Sequence, residues 1–310
     1  MIVVAIPAVG LAVMSLAAFL GRWVWWLDVL ANFRAQYVVG LAVLGLVIAM
    51  SRWRKTGYAV LGVALVNLIV VLPLYIGSPA EAAVERSSIR VMSFNLLSTN
   101  ESYPDVIDYI DSADPDLVLL HEASRPWEVA MESADLDYEI VRPRSEDLIF
   151  GTLVLVKAES VEAISYGFAA SAARAVELTY TPEGWTDSLS VLGTHPLAPT
   201  DRERADLRDA QLGFAGEWAS SRTGAFIVVG DLNATPWSWP FRRLMESTEL
   251  RNSQRGFGLQ PSFPTESNLL LRVPIDHLLH SPALEVTDRE LGPHLGSDHF
   301  PLLVDLQLAG

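Results

Sequence analysis

The first 80 residues contain three long apolar segments without a charged side chain, and this feature limits the possible folds more than any other. The segments cover residues 2–21, 35–51 and 56–80. A helix needs about 20 mainly apolar residues to cross a hydrocarbon core ~30 Å thick, and each segment is this long or nearly so. We therefore predict three transmembrane helices in a membrane domain at residues 1–78, with the lipid bilayer as its partner.

Two alternative structures fit these segments less well. Residues 2–21 could be a cleaved signal peptide, but no basic region opens the segment and no small-x-small cleavage site precedes Arg22. The three segments could also be buried helices of a soluble domain. Such helices usually keep a polar face, and these segments have almost none.

The charge distribution changes abruptly after residue 78. Residues 1–78 contain five basic side chains and one acidic one, whereas residues 79–310 contain 17 basic and 36 acidic side chains, a formal charge of −19. Such a break is typical of a domain boundary. We predict a linker over residues 79–88 and one domain over residues 89–310. The chain has no cysteine, which excludes disulfides and thiolate zinc sites.

The basic loops predict the orientation in the membrane. The short loop Ser51–Lys55 carries three positive charges and should therefore be cytoplasmic. Three spans then place the amino terminus inside and the acidic domain outside the cytoplasm, so the sequence predicts a multi-pass protein of the cell membrane. Arg22 and Arg34, which outnumber Asp28 in the outer loop, argue mildly for the opposite orientation.

Short apolar segments in the second part predict buried strands, and longer periodic ones predict helices. Mixed strands and helices over this length indicate a layered α/β domain. The predicted strands are residues 89–96, 116–121, 151–157, 189–194, 225–230, 273–279 and 300–306, and the predicted helices are 103–112, 201–221 and 238–246.

Polar side chains close several of these strands. Asn95 ends the first, His121-Glu122 the second, and Gly230-Asp231 the one that begins at residue 225. Catalytic groups gather at such positions because a rigid scaffold holds them within reach of solvent. In an extended segment Asp231 and Asn233 would face the same side, and Gly230 would allow a close approach of the backbone.

Six short motifs occur in a fixed order along the second part of the chain. They are Ser93-Phe94-Asn95, His121-Glu122, Thr194-His195, Gly230-Asp231-Leu232-Asn233, Ile275-Asp276-His277 and Gly296-Ser297-Asp298-His299. Together they resemble the endonuclease/exonuclease/phosphatase superfamily over roughly residues 89–308, and the whole chain resembles bacterial members with an amino-terminal membrane anchor. The resemblance implies a four-layer α/β/β/α sandwich with the active site at one edge of two packed sheets.

The resemblance also implies a role for each polar residue. Glu122 and Asn95 would bind Mg²⁺, or Mn²⁺, which prefer hard oxygen ligands, and Asp298 would be a second carboxylate on the metal side. Asp231 would orient or deprotonate the attacking water.

The remaining roles concern the phosphate. Asn233 would hold a non-bridging phosphate oxygen, and His195 would contact the phosphate from the far side. His299 would act as an acid, a base or a phosphate-stabilising group, and Asp276 would orient it.

Each of these residues alone has a structural alternative. A Gly-Asp-x-Asn sequence after a strand is usually a turn, Glu122 could cap a helix, and His195 could be a hydrogen-bonded core histidine. Asp298-His299 could be a plain loop pair. The order of all six motifs favours the functional interpretation.

Three functions remain open from the sequence. The first is a membrane-anchored, Mg²⁺-dependent phosphoesterase that hydrolyses a lipid headgroup, a nucleotide or a sugar phosphate. The second is an extracytoplasmic nuclease, which the acidic charge disfavours because basic side chains supply most affinity for nucleic acid. Ser124 also stands where several nuclease members carry a basic residue. The third is a non-catalytic receptor or scaffold, which the complete set of motif residues disfavours.

Overall fold

The structure is a computed structural model that describes residues 2–82, 88–141, 151–158, 161–168 and 174–310. Its first part is a helical unit, and its second part is a unit of two β-sheets flanked by helices. The two units contact each other through side chains and backbone groups of the described residues.

The apolar segments of the first part form helices, as the sequence predicts. Two single turns of 3₁₀-helix, Ala18–Leu20 and Leu72–Tyr75, extend the first and last of them. The helices are α1 (Ile2–Ala17), α2 (Trp25–Ala31), α3 (Arg34–Ala49) and α4 (Arg54–Val71).

Two of these helical stretches, Val3–Leu20 and Arg54–Tyr75, are long and apolar enough to cross a membrane. α3 has 16 residues and is therefore only about 24 Å long at ~1.5 Å per residue. It meets this length only together with α2, from which it is bent by 65°. The described helices therefore provide two candidate spans, or three if the bent pair is counted as one.

The helical unit packs small and apolar side chains inside and leaves others uncovered. Leu41 and Ile48 of α3 are fully buried against α1 and α4. A buried polar network also joins three helices: Arg34 donates to the Ser15 carbonyl and to Asn67 Oδ1, each at 2.8 Å. The outer surface keeps exposed apolar residues of the kind that a bilayer would cover, among them Val3, Ile6, Val43, Leu65 and Ile69.

The second unit begins with strand β1 at Ser88, one residue before the predicted boundary. Residues 83–87 of the predicted linker lie outside the described residues. Before them the chain is irregular, and the Ala80 N–H donates to the Val286 carbonyl.

The described residues of the second unit form two six-stranded sheets. The first has the order β11-β12-β1-β2-β4-β3 and the second β5-β6-β7-β8-β10-β9. The strands are β1 (Ser88–Asn95), β2 (Leu117–Ala123), β3 (Glu139–Val141), β4 (Gly151–Val156), β5 (Glu162–Gly167), β6 (Arg174–Tyr180), β7 (Leu189–Thr194), β8 (Phe226–Asp231), β9 (Arg251–Asn252), β10 (Asp276–His280), β11 (Leu284–Leu291) and β12 (Leu302–Leu308); the helices are α5 (Tyr103–Ala113), α6 (Arg125–Ser133), α7 (Arg202–Ser220) and α8 (Trp239–Glu246).

The layers follow from the alternation of side chains along each strand. In β1, Ile89 and Val91 point between the sheets, and Met92 and Phe94 point to the outer face. That outer face is covered by α5 and α6, with Trp127 fully buried. α7 and α8 cover the second sheet in the same way. The predicted four-layer α/β/β/α sandwich is confirmed.

Some predicted elements differ from the structure. β10 starts at Asp276 rather than at residue 273, because Pro274 has no N–H for a ladder; Val273 forms only an isolated bridge with Phe263. The sequence patterns also missed α6 and the strands β3, β5, β6, β9 and β11.

Candidate active site

The ends of strands from both sheets meet at one edge of the sandwich. β1 and β2 are parallel neighbours that pair Asn95 with His121, so Asn95 and Glu122 leave the first sheet side by side. β8 and β10 are antiparallel and pair Asp231 directly with Asp276. The site therefore lies between the two sheets, and its geometry depends on their packing.

Glu122 reaches this edge through a break in the strand. Strict alternation would place it with Leu120 on the helix-covered face. A register shift between Leu120 and Ala123 and a positive φ of 55° at Glu122 turn its side chain away. Such a conformation costs a non-glycine residue of order 1–3 kcal/mol and is often found at functional sites.

Asp231 and Asn233 face one another across a tight turn rather than along an extended strand. Asp231 Oδ1 accepts the Asn233 N–H at 2.9 Å, and Asn233 has a φ of 47°. Leu232 between them is fully buried. The turn that was the structural alternative for this motif is thus present, and it is also what directs both polar side chains to the site.

His299 lies between the two paired aspartates. Its Nδ1 is 2.8 Å from Asp276 Oδ2, and its Nε2 is 3.6 Å from Asp231 Oδ2. Burial would lower the pKa of His299, but the charges of Asp276 and Asp231 raise it to about 9. The imidazole is therefore a protonated cation at neutral pH, and its charge lowers the pKa of Asp276 against the effect of burial.

Opposing effects also act on the pKa of Asp231. Burial raises its pKa, the charges of His299 and His195 lower it, and the net shift is upward. A carboxylate whose pKa is raised holds a proton more readily, as a general base requires.

His195 lies between Glu122 and Asp231. Its Nε2 is 3.3 Å from Glu122 Oε1 and its Nδ1 is 3.4 Å from Asp231 Oδ2. Burial would raise the pKa of Glu122, but the hydrogen bond and charge of His195, with further donors from Asn95 and the Ser98 N–H, lower it to about 2. Glu122 is thus an ionised carboxylate, and its side chain is 20% exposed to solvent.

Asn95 forms hydrogen bonds with both Glu122 and Asp231. Its Nδ2 lies 3.2 Å from Glu122 Oε1 and 3.1 Å from Asp231 Oδ2. Its Oδ1 accepts the Leu97 N–H at 3.1 Å. An amide oxygen has two lone pairs, so this atom could also face a cation.

Asp298 occupies the loop that carries His299. Its carbonyl accepts the Thr265 N–H at 2.8 Å, it is half-buried, and its charge contributes to the raised pKa of His299. Ser297 pins the same loop to the first sheet, since its Oγ donates to the Asn95 carbonyl at 2.6 Å. The structure thus joins the other predicted site residues through direct side-chain contacts and places Asp298 next to them.

Among the residues that the structure describes, two groups of side chains could bind a cation. Asp231, Asp276 and His299 have potential ligand atoms within 4.8 Å of one another, but His299 is protonated and engaged with Asp276, so it is not free to coordinate. Glu122 combines an ionised carboxylate with partial exposure and a neighbouring amide at Asn95. This second group fits a hard divalent cation better.

Several residues that shape the site were not singled out from the sequence. Ser262 Oγ accepts the Asp276 N–H at 3.4 Å, and the Phe263 ring lies 4.7 Å from the His299 ring. Asp28 of the helical unit contacts the backbone that follows Asn233. The one feature of the sequence that could have pointed to Asp28 is that it is the single acidic residue among the first 78.

The atoms around Gly230 leave no room for a side chain at this position. Its φ is 146°, and a Cβ at this position would lie 2.0 Å from the Thr194 carbonyl oxygen and 3.0 Å from Nε2 of the buried His121. We expect Gly230→Ala to lower the free energy of unfolding by roughly 3 kcal/mol or more, which is a fall in Tm of roughly 6 °C or more.

The matched control is Gly213→Ala on α7, where a Cβ meets no atom within 4 Å. There the same substitution should raise stability by about 0.5–1 kcal/mol. Thermal unfolding of the detergent-solubilised chain measures both changes. Equal Tm values for the two variants would contradict the close approach at Gly230.

Solved structures of other proteins have the same fold as the catalytic unit. The solved structure of truncated TDP2 from Caenorhabditis elegans is 20% identical, with a TM-score of 0.57 over 72% of this chain and 98% of that one. An endonuclease/exonuclease/phosphatase family protein from Bacteroides thetaiotaomicron is 17% identical, with a TM-score of 0.59 over 73% and 99% of the two chains. TDP2 from D. rerio, solved with a single-strand DNA product, is 13% identical, with a TM-score of 0.60 over 71% and 99%.

A search of curated proteins found no significant match. The profile of the Endonuclease/Exonuclease/phosphatase family matches residues 92–299, which include every site residue predicted from the sequence. Members of this family are generally metal-dependent hydrolases of phosphodiester bonds. The chain belongs to the Endonuclease/Exonuclease/phosphatase family.

Proposed function

We propose that this protein is a membrane-anchored phosphoesterase that uses a divalent cation, Mg²⁺ or Mn²⁺, and an activated water. One observation carries the proposal. Asp231 lies between a protonated His299 on one side and the Glu122–His195–Asn95 group on the other. A base next to a cation site and opposite a proton donor is the arrangement that hydrolysis of a phosphate ester needs.

The cation would be held by Glu122 and Asn95, with Asp298 as a further carboxylate on the same side. When bound, such a cation supplies electrostatic stabilisation of the charge that develops on phosphate oxygens. It would also offset the repulsion among the carboxylates, roughly 1–4 kcal/mol for each close pair.

Asp231 would orient the attacking water and take its proton. His299, kept protonated by Asp276, would stabilise developing negative charge or protonate the leaving oxygen. Asn233 and His195 would contact the phosphate. The Asn233 side chain supports this role only in part, because its Nδ2 donates to the Pro196 carbonyl at 2.9 Å and would have to share this bond with a substrate.

The position of the helical unit supports membrane anchoring with the catalytic unit outside the cytoplasm. The catalytic unit contacts the carboxyl end of α4, where the Leu74 carbonyl accepts the Gly256 and Gly258 N–H groups, and the amino end of α3 through Gln36. The basic loop Ser51–Lys55 connects the other ends of α3 and α4 and so lies on the opposite side. By the positive-inside rule this far side is cytoplasmic.

An apolar turn beside the helices favours a lipid phosphate ester as the substrate. Leu269, Leu270 and Leu271 form a turn of 3₁₀-helix and are 64%, 58% and 58% exposed. The Arg272 carbonyl that follows accepts a hydrogen bond from Gln36 Nε2 at 2.8 Å. The turn therefore lies at the level where α3 would enter a bilayer. Thr265, four residues before Leu269, donates a hydrogen bond to the loop that carries Asp298.

A nuclease is the second candidate because TDP2 from D. rerio, which has this fold, was solved with a single-strand DNA product. The charge of residues 79–310, with 17 basic and 36 acidic side chains, favours lipid or small phosphate esters over nucleic acid. Turnover of lipid vesicles, nucleotides and DNA by the full chain separates the candidates, and the absence of turnover on all three would favour a non-catalytic role.

Removing the charge of Asp231 should abolish chemistry without unfolding the protein. Asp231→Asn should lower turnover at least ~10²-fold, the size expected for loss of a general base. Its stability should be unchanged or higher, because the raised pKa of Asp231 means that its ionised form costs folding free energy above that pKa. Steady-state kinetics and thermal unfolding measure both, with the exposed Asp206→Asn on α7 as the control. Near-normal turnover by Asp231→Asn would refute its role.

The Mg²⁺ concentration that the reaction requires should depend on the charge of Glu122. Glu122→Gln keeps the shape and removes the charge, so half-maximal activity should require at least tenfold more Mg²⁺. The exposed Glu217→Gln on α7 should behave like the unmodified protein. Full activity of the unmodified protein in EDTA would exclude the metal mechanism.

The orientation of the chain in the membrane can be measured with reporter proteins fused after Gly310. Alkaline phosphatase, which is active only outside the cytoplasm, should be active at this position, and a reporter that works only in the cytoplasm should be silent. The reverse pattern would place the catalytic unit inside the cell and would strengthen the nuclease alternative.

A further inference from the structure

The helical unit reaches into the catalytic unit through a buried ion pair. Asp28 on α2 and Arg208 on α7 have side chains that are 4% and 2% exposed, and Arg208 Nη2 is 3.2 Å from Asp28 Oδ2. A buried charge without its partner is strongly unfavourable. The pair therefore fixes the position of α2 on the catalytic unit.

Both members of this pair hold the loop that follows β8. Arg208 Nη1 donates to the Asn233 carbonyl at 3.3 Å, and Asp28 Oδ1 accepts the Trp239 N–H at 2.6 Å. The second bond places a carboxylate at the first turn of α8, where negative charge is favourable. Asp28 thus contacts the Trp239 end of the segment Asn233–Trp239 directly and its Asn233 end through Arg208.

Further contacts from the same unit cover the middle of this segment. Thr235 Oγ1 donates to Asn32 Oδ1 at 3.0 Å. The Trp237 side chain packs in a cluster with residues of α2, of α4 and of the 3₁₀ turns that follow α1 and α4. Its buried neighbours in this cluster are Ala18, Ala31, Val71 and Leu74.

We infer that Asp28 is a positioning residue of the active site: acting through Arg208, it holds Asn233 in the backbone conformation that directs the Asp231–Asn233 turn to the substrate. Asn233 has a φ of 47°, a left-handed conformation that is uncommon for non-glycine residues although Asn adopts it more readily than most, and the bond from Arg208 to its carbonyl helps to fix it. The anchor is therefore part of the catalytic apparatus as well as a tether. The kinetic test of this inference rests on the proposed phosphoesterase activity.

Two variants of the full-length chain in lipid nanodiscs test the inference. Asp28→Asn removes one charge and leaves Arg208 without its inter-unit partner. The double variant Asp28→Leu with Arg208→Met removes both charges, so it can fold without a lone buried charge but still lacks the link to the Asn233 carbonyl. We expect kcat to fall at least tenfold in both, since small displacements of catalytic groups are costly, with the Mg²⁺ concentration for half-maximal activity unchanged.

The control weakens the helical unit at a different place. Asn67→Leu breaks the buried bonds to Arg34 and Ser15 and touches nothing in the segment Asn233–Trp239. It should lower Tm while keeping kcat within twofold. A fall in kcat for Asn67→Leu equal to that of the double variant would show that any loosening of the helical unit has this effect, and the specific role of Asp28 would be wrong.

Hydrogen exchange gives a readout that does not need turnover. The Leu232 and Asn233 N–H groups bond the Ile275 carbonyl and Asp231 Oδ1 rather than Asp28. Their exchange should accelerate at least tenfold in the double variant if Asp28 and Arg208 position this turn. Unchanged exchange, or kcat within twofold of the unmodified protein, overturns the inference. Absence of turnover in the unmodified protein would instead overturn the proposed function and leave the exchange result as the test of positioning.

Discussion

The site depends on how the protein accommodates two buried carboxylates on neighbouring strands. The antiparallel pairing of β8 and β10 sets Asp231 opposite Asp276, and both are at most 2% exposed. Two such charges would repel one another and resist burial. His299 resolves this conflict because it bonds Asp276 at 2.8 Å and faces Asp231 at 3.6 Å as a cation. Burial raises the pKa of both carboxylates and the charge of His299 lowers it; burial prevails at Asp231, whose pKa is raised, and His299 with its hydrogen bond prevails at Asp276, whose pKa is lowered. Two carboxylates with opposite shifts are what the proposed base and the proposed orienting group require.

His299 can do this only because the two sheets are packed together. The second sheet supplies Asp231 and Asp276, and the first supplies Asn95 and Glu122. Ser297 holds the His299 loop on the first sheet, since its Oγ donates to the Asn95 carbonyl and accepts the His299 N–H at 3.1 Å. Burial lowers the pKa of His121 to about 3, so a neutral ring packs beside Gly230 between the sheets. The hydrophobic core thus sets the distances within the site.

Much of the architecture was predictable from the sequence because the buried strands are continuous apolar segments that end in polar residues. β1, β2, β7 and β8 were predicted within two residues at each end. β5 was missed because its side chains are largely exposed, so Glu162–Gly167 lacks an apolar pattern. β11 was missed because the charged run Asp288-Arg289-Glu290 interrupts the alternation that starts at Leu284. The site residues were predictable as a set, but their geometry was not. Nothing local in the sequence shows that a positive φ turns Glu122 out of its strand. Asp28 was visible as a lone acidic residue in an apolar region, but its partner Arg208 is 180 residues away, and such long-range pairs follow from how the units pack.

Water activated at Asp231 with the help of a divalent cation should attack phosphorus, and the oxygen of that water should therefore appear in the phosphate product. Hydrolysis in ¹⁸O-labelled water, followed by ³¹P NMR, measures this directly. Vesicles of phosphatidic acid, phosphatidylglycerol and phosphatidylinositol would serve as substrates for the full-length chain. We expect ¹⁸O in the phosphate product of at least one of these lipids, only when Mg²⁺ or Mn²⁺ is present. Label in the alcohol product instead, or labelled phosphate formed equally in EDTA, would contradict the proposed mechanism.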